Sequence, residues 1–121
     1  MNQQFGTNPV QIYILHNTFG HVKIGVSTDF NQRLKQLKGS NGGGAKIDEF
    51  WASRPTLLYT LERVMHGIYQ DNRIEGTEWF ENLDFKEIVA KVEELMNTDE
   101  FKLCENVRKE FYQRTVLGYV Y

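Results

Sequence analysis

Residues 10–27 constrain the fold most, because they read as two alternating segments around a turn. β-branched residues take every second position on both sides: Val10, Ile12, Ile14, Val22, Ile24 and Val26. Successive side chains of a strand point to opposite faces, so this alternation predicts an antiparallel hairpin with one apolar face. The other face carries Tyr13, Lys23 and Gly25. With both apolar faces in one core, Tyr13 and Lys23 are directly opposed or, after a slip of two residues, diagonal. We therefore expect the two side chains to be neighbours on an exposed face.

A helix and a third strand are predicted after the hairpin. Asp29 and Gln32 approximate a capping box, and Phe30 and Leu34 begin a buried stripe at helical spacing. The loop "GSNGGG" that follows is typical of a mobile connector. The segment "KIDEFWASR" then predicts the third strand.

The clearest helical pattern in the chain is "TLLYTLERVMHGIYQDN", which Pro55 would open. Glu62 and His66 lie at the edge of its apolar stripe, where a side chain is half in the core and half at the surface. A turn and a short strand follow and end at Trp79 and Phe80.

Two further helices are predicted beyond residue 83. Asp84 and Glu87 form a capping box for the first, and the second, over 98–114, carries Cys104 on an apolar stripe that predicts a buried, unreactive thiol. The apolar tail "TVLGYVY" could pair as an edge strand, dock, or contact a second subunit. We predict one domain over 1–121, with its core in 10–83 and a helical extension in 84–121.

Composition and charge limit the classes of function. The 121-residue chain has a net charge of −2; residues 1–76 hold eight basic and six acidic residues, whereas 77–121 hold six and ten. Neutralising phosphates requires basic surface, so non-specific coating of nucleic acid is disfavoured and any polyanion should be bound by the first two thirds. A single cysteine allows no intramolecular disulfide, which suits a reducing compartment.

Targeting and membrane signals are missing from the sequence. It shows neither a secretory signal pattern nor an apolar run near the ~20 residues that span a bilayer. The sequence thus predicts a soluble cytoplasmic protein with no membrane partner, found in the host cytoplasm if a phage encodes it.

The order of Tyr13, "KIG" at 23–25, Arg33 and Glu62 on a β–β–α–β–α framework resembles the GIY-YIG nuclease superfamily. The stretches "VKIGVSTDFNQRLKQLKG" and "LERVMHGIYQDNRIEGTEWF" resemble its short phage-type branch, also called the meiotically-up-regulated-gene nucleases. The resemblance covers 10–80. It implies an α+β fold, with a three-stranded antiparallel sheet flanked by helices, and metal-dependent cleavage of phosphodiesters.

The resemblance also implies roles for individual residues. Tyr13 matches the general base, Arg33 the phosphate-binding arginine, and Glu62 the glutamate that binds Mg²⁺ or Mn²⁺. Lys23 replaces the family's second tyrosine, as in other members of this branch, and would favour the Tyr13 phenolate or contact the substrate phosphate. Gly25 would leave room for the substrate backbone.

Other positions are less directly matched. Gln11 replaces the glycine of the family's first triplet. His66, Asn72 and Arg73 are alternatives for a later polar position of the family, and we include His66 among the catalytic candidates. The remaining candidates for substrate binding are basic: Lys35, Lys38 and Arg73.

Two functions follow as hypotheses. The first is a Mg²⁺-dependent endonuclease of phage or mobile-element origin that cleaves DNA, with RNA as an alternative substrate; Arg33 and Glu62 favour it. The second is a catalytically silent GIY-YIG-like module that inhibits or regulates a partner protein; the acidic balance and Gln11 favour it. In either case the C-terminal helices and tail are candidates for contact with a protein partner or a second copy of the chain.

Overall fold

A four-stranded antiparallel sheet organises the protein. The computed structural model describes residues 8–39 and 44–115, with side chains described up to residue 110. The strands are β1 (Gln11–Asn17), β2 (Val22–Ser27), β3 (Ile47–Ala52) and β4 (Trp79–Phe80), in the order β3-β1-β2-β4. The helices of the described residues are α1 (Phe30–Gly39), α2 (Leu61–Ile68), α3 (Phe85–Met96) and α4 (Asp99–Thr115). The predicted α+β class and C-terminal helix are confirmed; the sheet gains a fourth strand because β4 pairs with the free edge of β2.

The β1–β2 hairpin takes the slipped register of the two predicted alternatives. Tyr13 lies opposite Gly25, and Leu15 lies opposite Lys23, so Tyr13 and Lys23 are diagonal neighbours on one face. The turn decides this register, since Asn17 Oδ1 accepts hydrogen bonds from two turn N–H groups, both at 3.0 Å. Gly20, with φ 81°, supplies the left-handed residue that the turn requires.

One face of the sheet forms the main core with α2 and α3. Its buried residues are Ile12, Ile14, Val22, Ile24, Leu61, Met65, Phe80, Ile88, Val92 and Met96. Helix α3 supplies the last three of these at i, i+4 and i+8, so it covers the sheet directly. Packing of the core therefore continues beyond residue 83, the predicted end of the core.

Helix α1 covers the opposite face of the sheet. Phe30 and Leu34 pack there against Tyr13 and Leu15, and the ring centroids of Tyr13 and Phe30 are 5.6 Å apart. The predicted exposure of this face is therefore wrong: Tyr13 is 2% exposed and Lys23 6%. Alternation in the hairpin shows which face is less apolar, but it cannot show that another helix packs on it.

The helix that carries Glu62 begins later than predicted, at Leu61 rather than after Pro55. The chain first continues extended beside β1, where Thr56 and Val10 exchange two backbone hydrogen bonds of 2.8 Å. These bonds compete with a helical start, because a residue paired with a neighbouring strand cannot also turn into a helix. The helix ends at Ile68 and is followed by a 3-10 turn over Gln70–Asn72.

Helix α4 is only partly packed against the rest of the protein. Phe101 is half-buried against the core, and the Arg54 guanidinium binds both carboxylate oxygens of Glu105 at 2.7 and 3.0 Å. Leu103 and Val107 remain 66% and 59% exposed. Cys104 is exposed as well, so its predicted burial is wrong, because it lines an open depression between α4 and residues 57–60 and does not reach the core.

The glycine-rich loop at 40–43 and the apolar tail at 116–121 lie outside the described residues. Within the part of the chain that the structure describes, no helix has the length and hydrophobicity needed to cross a bilayer.

The cap of α3 provides a first prediction about stability. Asp84 accepts a hydrogen bond from the Glu87 N–H at 3.1 Å, as the predicted capping box requires. Replacing Asp84 by alanine should lower the free energy of unfolding by about 1 kcal/mol, because a helix N–H loses its acceptor. Urea unfolding measures this effect, with Glu93→Ala on the exposed face of the same helix as the control. Equal unfolding midpoints for the two variants would contradict the prediction.

Candidate functional site

The site begins at Tyr13, whose ring lies across Gly25. A Cβ built on Gly25 would lie 2.4 Å from both Cζ and Oη of Tyr13, so only glycine allows the ring this position. The space beside Gly25 that the sequence assigned to the substrate backbone is thus filled by the Tyr13 ring.

The Tyr13 hydroxyl is the end of this buried side chain that meets solvent. Among the described residues the Tyr13 hydroxyl has no hydrogen-bond partner. Every fully buried side-chain oxygen or nitrogen of these residues does have a partner. Both statements hold only if the hydroxyl keeps contact with water, although the residue as a whole is 2% exposed. The ring is therefore fixed by packing while its reactive atom stays accessible.

This packing predicts the effect of a methyl group at Gly25. Gly25→Ala should displace the Tyr13 ring and lower stability by about 1–3 kcal/mol, the usual cost of overpacking a core. Urea unfolding and the NMR shifts of the Tyr13 ring measure the two effects. Gly67→Ala is the matched control, because nothing lies within 4 Å of the added methyl group. An unchanged Tyr13 ring in Gly25→Ala would show that the close contact is not a constraint.

Lys23 lies on the same face and is neutralised by a residue that the sequence analysis missed. Its Nζ donates a hydrogen bond to Glu78 Oε2 at 2.6 Å and lies 5.9 Å from the centre of the Trp79 ring. The hydrogen bond from Lys23 lowers the pKa of Glu78. The sequence held no direct signal for this pair, because a counter-ion for Lys23 is required only once the strand is buried, and Glu78 reaches it through the pairing of Trp79 with Lys23.

Glu62 enters the site from α2 as a half-buried carboxylate. Burial raises its pKa, and the charge of Glu78 raises it further, whereas His66 and Lys23 lower it in part. Within the described residues Glu62 makes no hydrogen bond and no ion pair through its side chain. Glu62 therefore lies near positively charged groups, but none of them binds its carboxylate directly.

His66 connects α2 to the sheet. Its Nε2 lies 2.8 Å from the carbonyl oxygen of Ile24 and so acts as the donor, and its ring packs edge-on against Phe80 at 5.2 Å. These contacts position α2 and leave Nδ1 as the remaining ring nitrogen. The predicted catalytic role of His66 stays a prediction.

Arg33 approaches the same region from α1. It is exposed, its Nη1 lies 3.4 Å from Gln36 Oε1, and its charge contributes to lowering the pKa of Glu78. It also lines an open depression of about 320 Å³, shared with polar side chains of the β2–α1 connection and of α1. Arg33 thus lines this depression and is close enough to Glu78 for its charge to act on that carboxylate.

The other predicted substrate contacts are more scattered. Lys38 lies 5.2 Å from the centre of the Phe50 ring on β3, at the opposite edge of the sheet from β4. Arg73 Nε donates to the Thr77 carbonyl at 2.8 Å and so stabilises the turn before β4. Lys35 is exposed on α1. Asn72, the other alternative for the later polar position, donates its side-chain amide to the Glu81 carbonyl.

Five residues that are distant in the sequence therefore form what we call the sheet-edge cluster: Tyr13, Lys23, Arg33, Glu62 and Glu78. Lys23 connects three of the others, since it is diagonal to Tyr13, bonded to Glu78 and close enough to shift the pKa of Glu62. Arg33 is linked to the cluster through its charge, which helps to lower the pKa of Glu78. The cluster offers an accessible phenol, two cations and two carboxylates. Such a set can bind an anion and a divalent cation side by side.

The fold and the sequence place the chain in the GIY-YIG nuclease-like clan. Within that clan it belongs to the T5orf172 domain family, whose sequence model matches residues 11–98. The match spans the four strands, α1 to α3 and the whole sheet-edge cluster, and α4 begins directly after it. No curated protein and no solved structure matches the chain significantly. Placement in the meiotically-up-regulated-gene branch stays a prediction.

Proposed function

We propose that the protein is a metal-dependent endonuclease that hydrolyses phosphodiester bonds in DNA. The observation that carries the proposal is Glu62, a half-buried carboxylate without a direct partner that lies beside Lys23 and Glu78. Keeping such a carboxylate ionised costs free energy in the free protein, which is typical of residues retained for binding or catalysis. Membership of a nuclease-like clan supports the same conclusion.

Arg33 and Lys23 would bind the scissile phosphate. The exposed guanidinium of Arg33 can donate two parallel hydrogen bonds to phosphate oxygens. Lys23 is fixed in the sheet and provides a positive charge at a defined position. Together they would stabilise the negative charge that grows on the phosphate in the transition state.

Tyr13 would accept the proton of the attacking water. Its ring is held between Phe30 and Gly25, so the position of the hydroxyl is fixed before substrate arrives. Such preorganisation is the main condition for efficient proton transfer. Lys23, its diagonal neighbour on the same face of the sheet, would hold the phosphate close to this hydroxyl.

Glu62 is suited to act as a ligand of a divalent cation. Mg²⁺ keeps several waters and requires only one or two carboxylates from the protein. Among the described residues no group of three or more His, Cys, Asp or Glu could hold a metal, so the fit rests on Glu62. When bound, Mg²⁺ or Mn²⁺ would supply a Lewis acid that stabilises charge on the phosphate and the leaving oxygen.

Cleavage of defined nucleic acids tests the proposal. The full-length protein is incubated with supercoiled plasmid, linear duplex DNA and structured RNA, with Mg²⁺ or Mn²⁺ and with EDTA instead. We expect metal-dependent nicking or linearisation of DNA, reduced about 100-fold in Arg33→Ala by loss of a preorganised donor. Lys102→Ala, an exposed change on α4, is the matched control. Cleavage of RNA alone rejects DNA as the substrate, and no cleavage in any arm rejects the nuclease.

A second function has support from the Lys23–Glu78 ion pair. This pair neutralises the most buried cation of the site, and residues 77–121 are net acidic, so both features weaken attraction to a polyanion. They favour a silent module that binds and regulates a partner protein. Absence of cleavage, together with stoichiometric co-purification of one protein, would select this function.

A further inference from the structure

We propose that Glu78 occupies, in the free protein, the position that a phosphate of the nucleic acid takes on Lys23, and that the phosphate displaces it. This inference rests on the proposed function and adds a residue that controls affinity for substrate. It makes Glu78 an internal competitor of the substrate.

The first argument is the state of Lys23. Its side chain is 7% exposed, and among the described residues Glu78 is the one hydrogen-bond acceptor of its Nζ. A buried ammonium requires an anionic or strongly polar partner, because it has lost its hydration. An anion must therefore always lie next to Nζ, whether it is the Glu78 carboxylate or a phosphate.

The second argument is the asymmetry between the two partners. The Glu78 side chain is 66% exposed, nearly ten times the fraction of Lys23. If the pair separates, Glu78 regains water at little cost, whereas Lys23 cannot do so without leaving the sheet. Exchange of the exposed anion is consequently the easy step, since ion pairs with an exposed partner contribute little net stability.

The third argument concerns the positive charges that act on the Glu78 carboxylate. Arg33 and Lys23, the two residues proposed to bind phosphate, both lower the pKa of Glu78. The Glu78 carboxylate thus lies in the field of the same two cations that would hold the phosphate. A carboxylate and a phosphate that both accept from Lys23 would repel each other, so the binding of a phosphate favours departure of the exposed Glu78 carboxylate.

The experiment compares Glu78→Gln with Glu75→Gln, which removes the same charge from an exposed position in the preceding turn. The glutamine oxygen at residue 78 still accepts a hydrogen bond from Lys23, so the fold is preserved. The probe is a duplex DNA oligonucleotide in low salt with EDTA, which prevents cleavage. We expect Glu78→Gln to bind about 3- to 10-fold more tightly than wild type, and Glu75→Gln within about twofold. Unchanged or weaker binding by Glu78→Gln relative to Glu75→Gln overturns the inference.

A second arm separates this inference from the nuclease proposal. Inorganic phosphate is titrated into wild type, Glu78→Gln and Glu78→Gln/Lys23→Met, and NMR follows the backbone amides of residues 23 and 79. Tighter phosphate binding by Glu78→Gln, lost in the double variant, supports the exchange even if no nucleic acid is cleaved. Equal phosphate binding by wild type and Glu78→Gln overturns the exchange even if the protein proves to be a nuclease.

Discussion

Replacing Tyr13 by phenylalanine is expected to lower the rate of DNA cleavage at least about 100-fold, the usual contribution of a general base. Affinity for DNA should stay within about twofold, because Arg33 and Lys23 are the residues proposed to supply the charge that binds phosphate. The fold should be unaffected, since the hydroxyl makes no hydrogen bond among the described residues and the ring keeps its packing on Phe30.

Three measurements separate these effects: cleavage at saturating DNA, binding in EDTA, and thermal unfolding. Tyr69→Phe is the matched control, because it removes a half-buried hydroxyl at the end of α2, outside the sheet-edge cluster. If Tyr13→Phe cleaves DNA as fast as Tyr69→Phe, Tyr13 is not the base. If Tyr13→Phe instead unfolds at a much lower temperature, its hydroxyl has a structural role that the packing does not reveal.

Replacing Glu62 by glutamine is expected to abolish cleavage at every metal concentration and to raise the melting temperature at neutral pH. The first effect follows because an amide cannot replace a carboxylate as the anchor of Mg²⁺. The second follows from burial, which raises the pKa of Glu62 and so favours its uncharged form in the folded protein.

The pH dependence of this stability has a definite sign. The folded protein binds the proton of Glu62 more tightly than the unfolded chain does. The favourable contribution is complete below the unfolded pKa of about 4 and is lost as pH rises through the higher folded value. Glutamine resembles the protonated form, so Glu62→Gln should melt above wild type at pH 7 and converge with it below about pH 4.

Calorimetry over the range from about pH 3 to about pH 8 measures this difference, with Glu93→Gln on the exposed face of α3 as the control. Mg²⁺ should raise the melting temperature of wild type but not of Glu62→Gln, because a ligand stabilises only the state that binds it. A Glu62→Gln variant that melts below wild type at pH 7 would show that the carboxylate makes a stabilising contact. Equal stabilisation of both proteins by Mg²⁺ would place the metal elsewhere.

Local sequence signals were sufficient where neighbours along the chain decide the structure. The caps Asp29 and Asp84 accept hydrogen bonds from Gln32 and Glu87, as their spacing predicted. The alternation in residues 10–27 likewise predicted the β1–β2 hairpin. Each of these depends on contacts within a few residues, so the sequence contains all the necessary information.

Sequence signals did not predict the structure correctly where an element distant in the chain makes the deciding contact. The start of α2 moved because Thr56 pairs with Val10, just before β1, and Cys104 is exposed because α4 has few contacts with the rest of the protein. Glu78 was missed because its role depends on β4 pairing with β2, some fifty residues earlier in the chain. Helical periodicity and strand alternation indicate which secondary structure a segment favours, but they do not indicate which other element packs against it.

The sequence alone determined the order of the elements, because this depends on periodicity, capping and residue type, and its resemblance to the GIY-YIG superfamily supplied the class of fold and the candidate residues of the site. Only the tertiary structure decided that Tyr13 and Lys23 are buried, that Gly25 makes room for the Tyr13 ring and that Lys23 is held by Glu78. The physical reason is that burial and charge pairing arise between elements far apart in the chain, and their free energies depend on which surfaces meet.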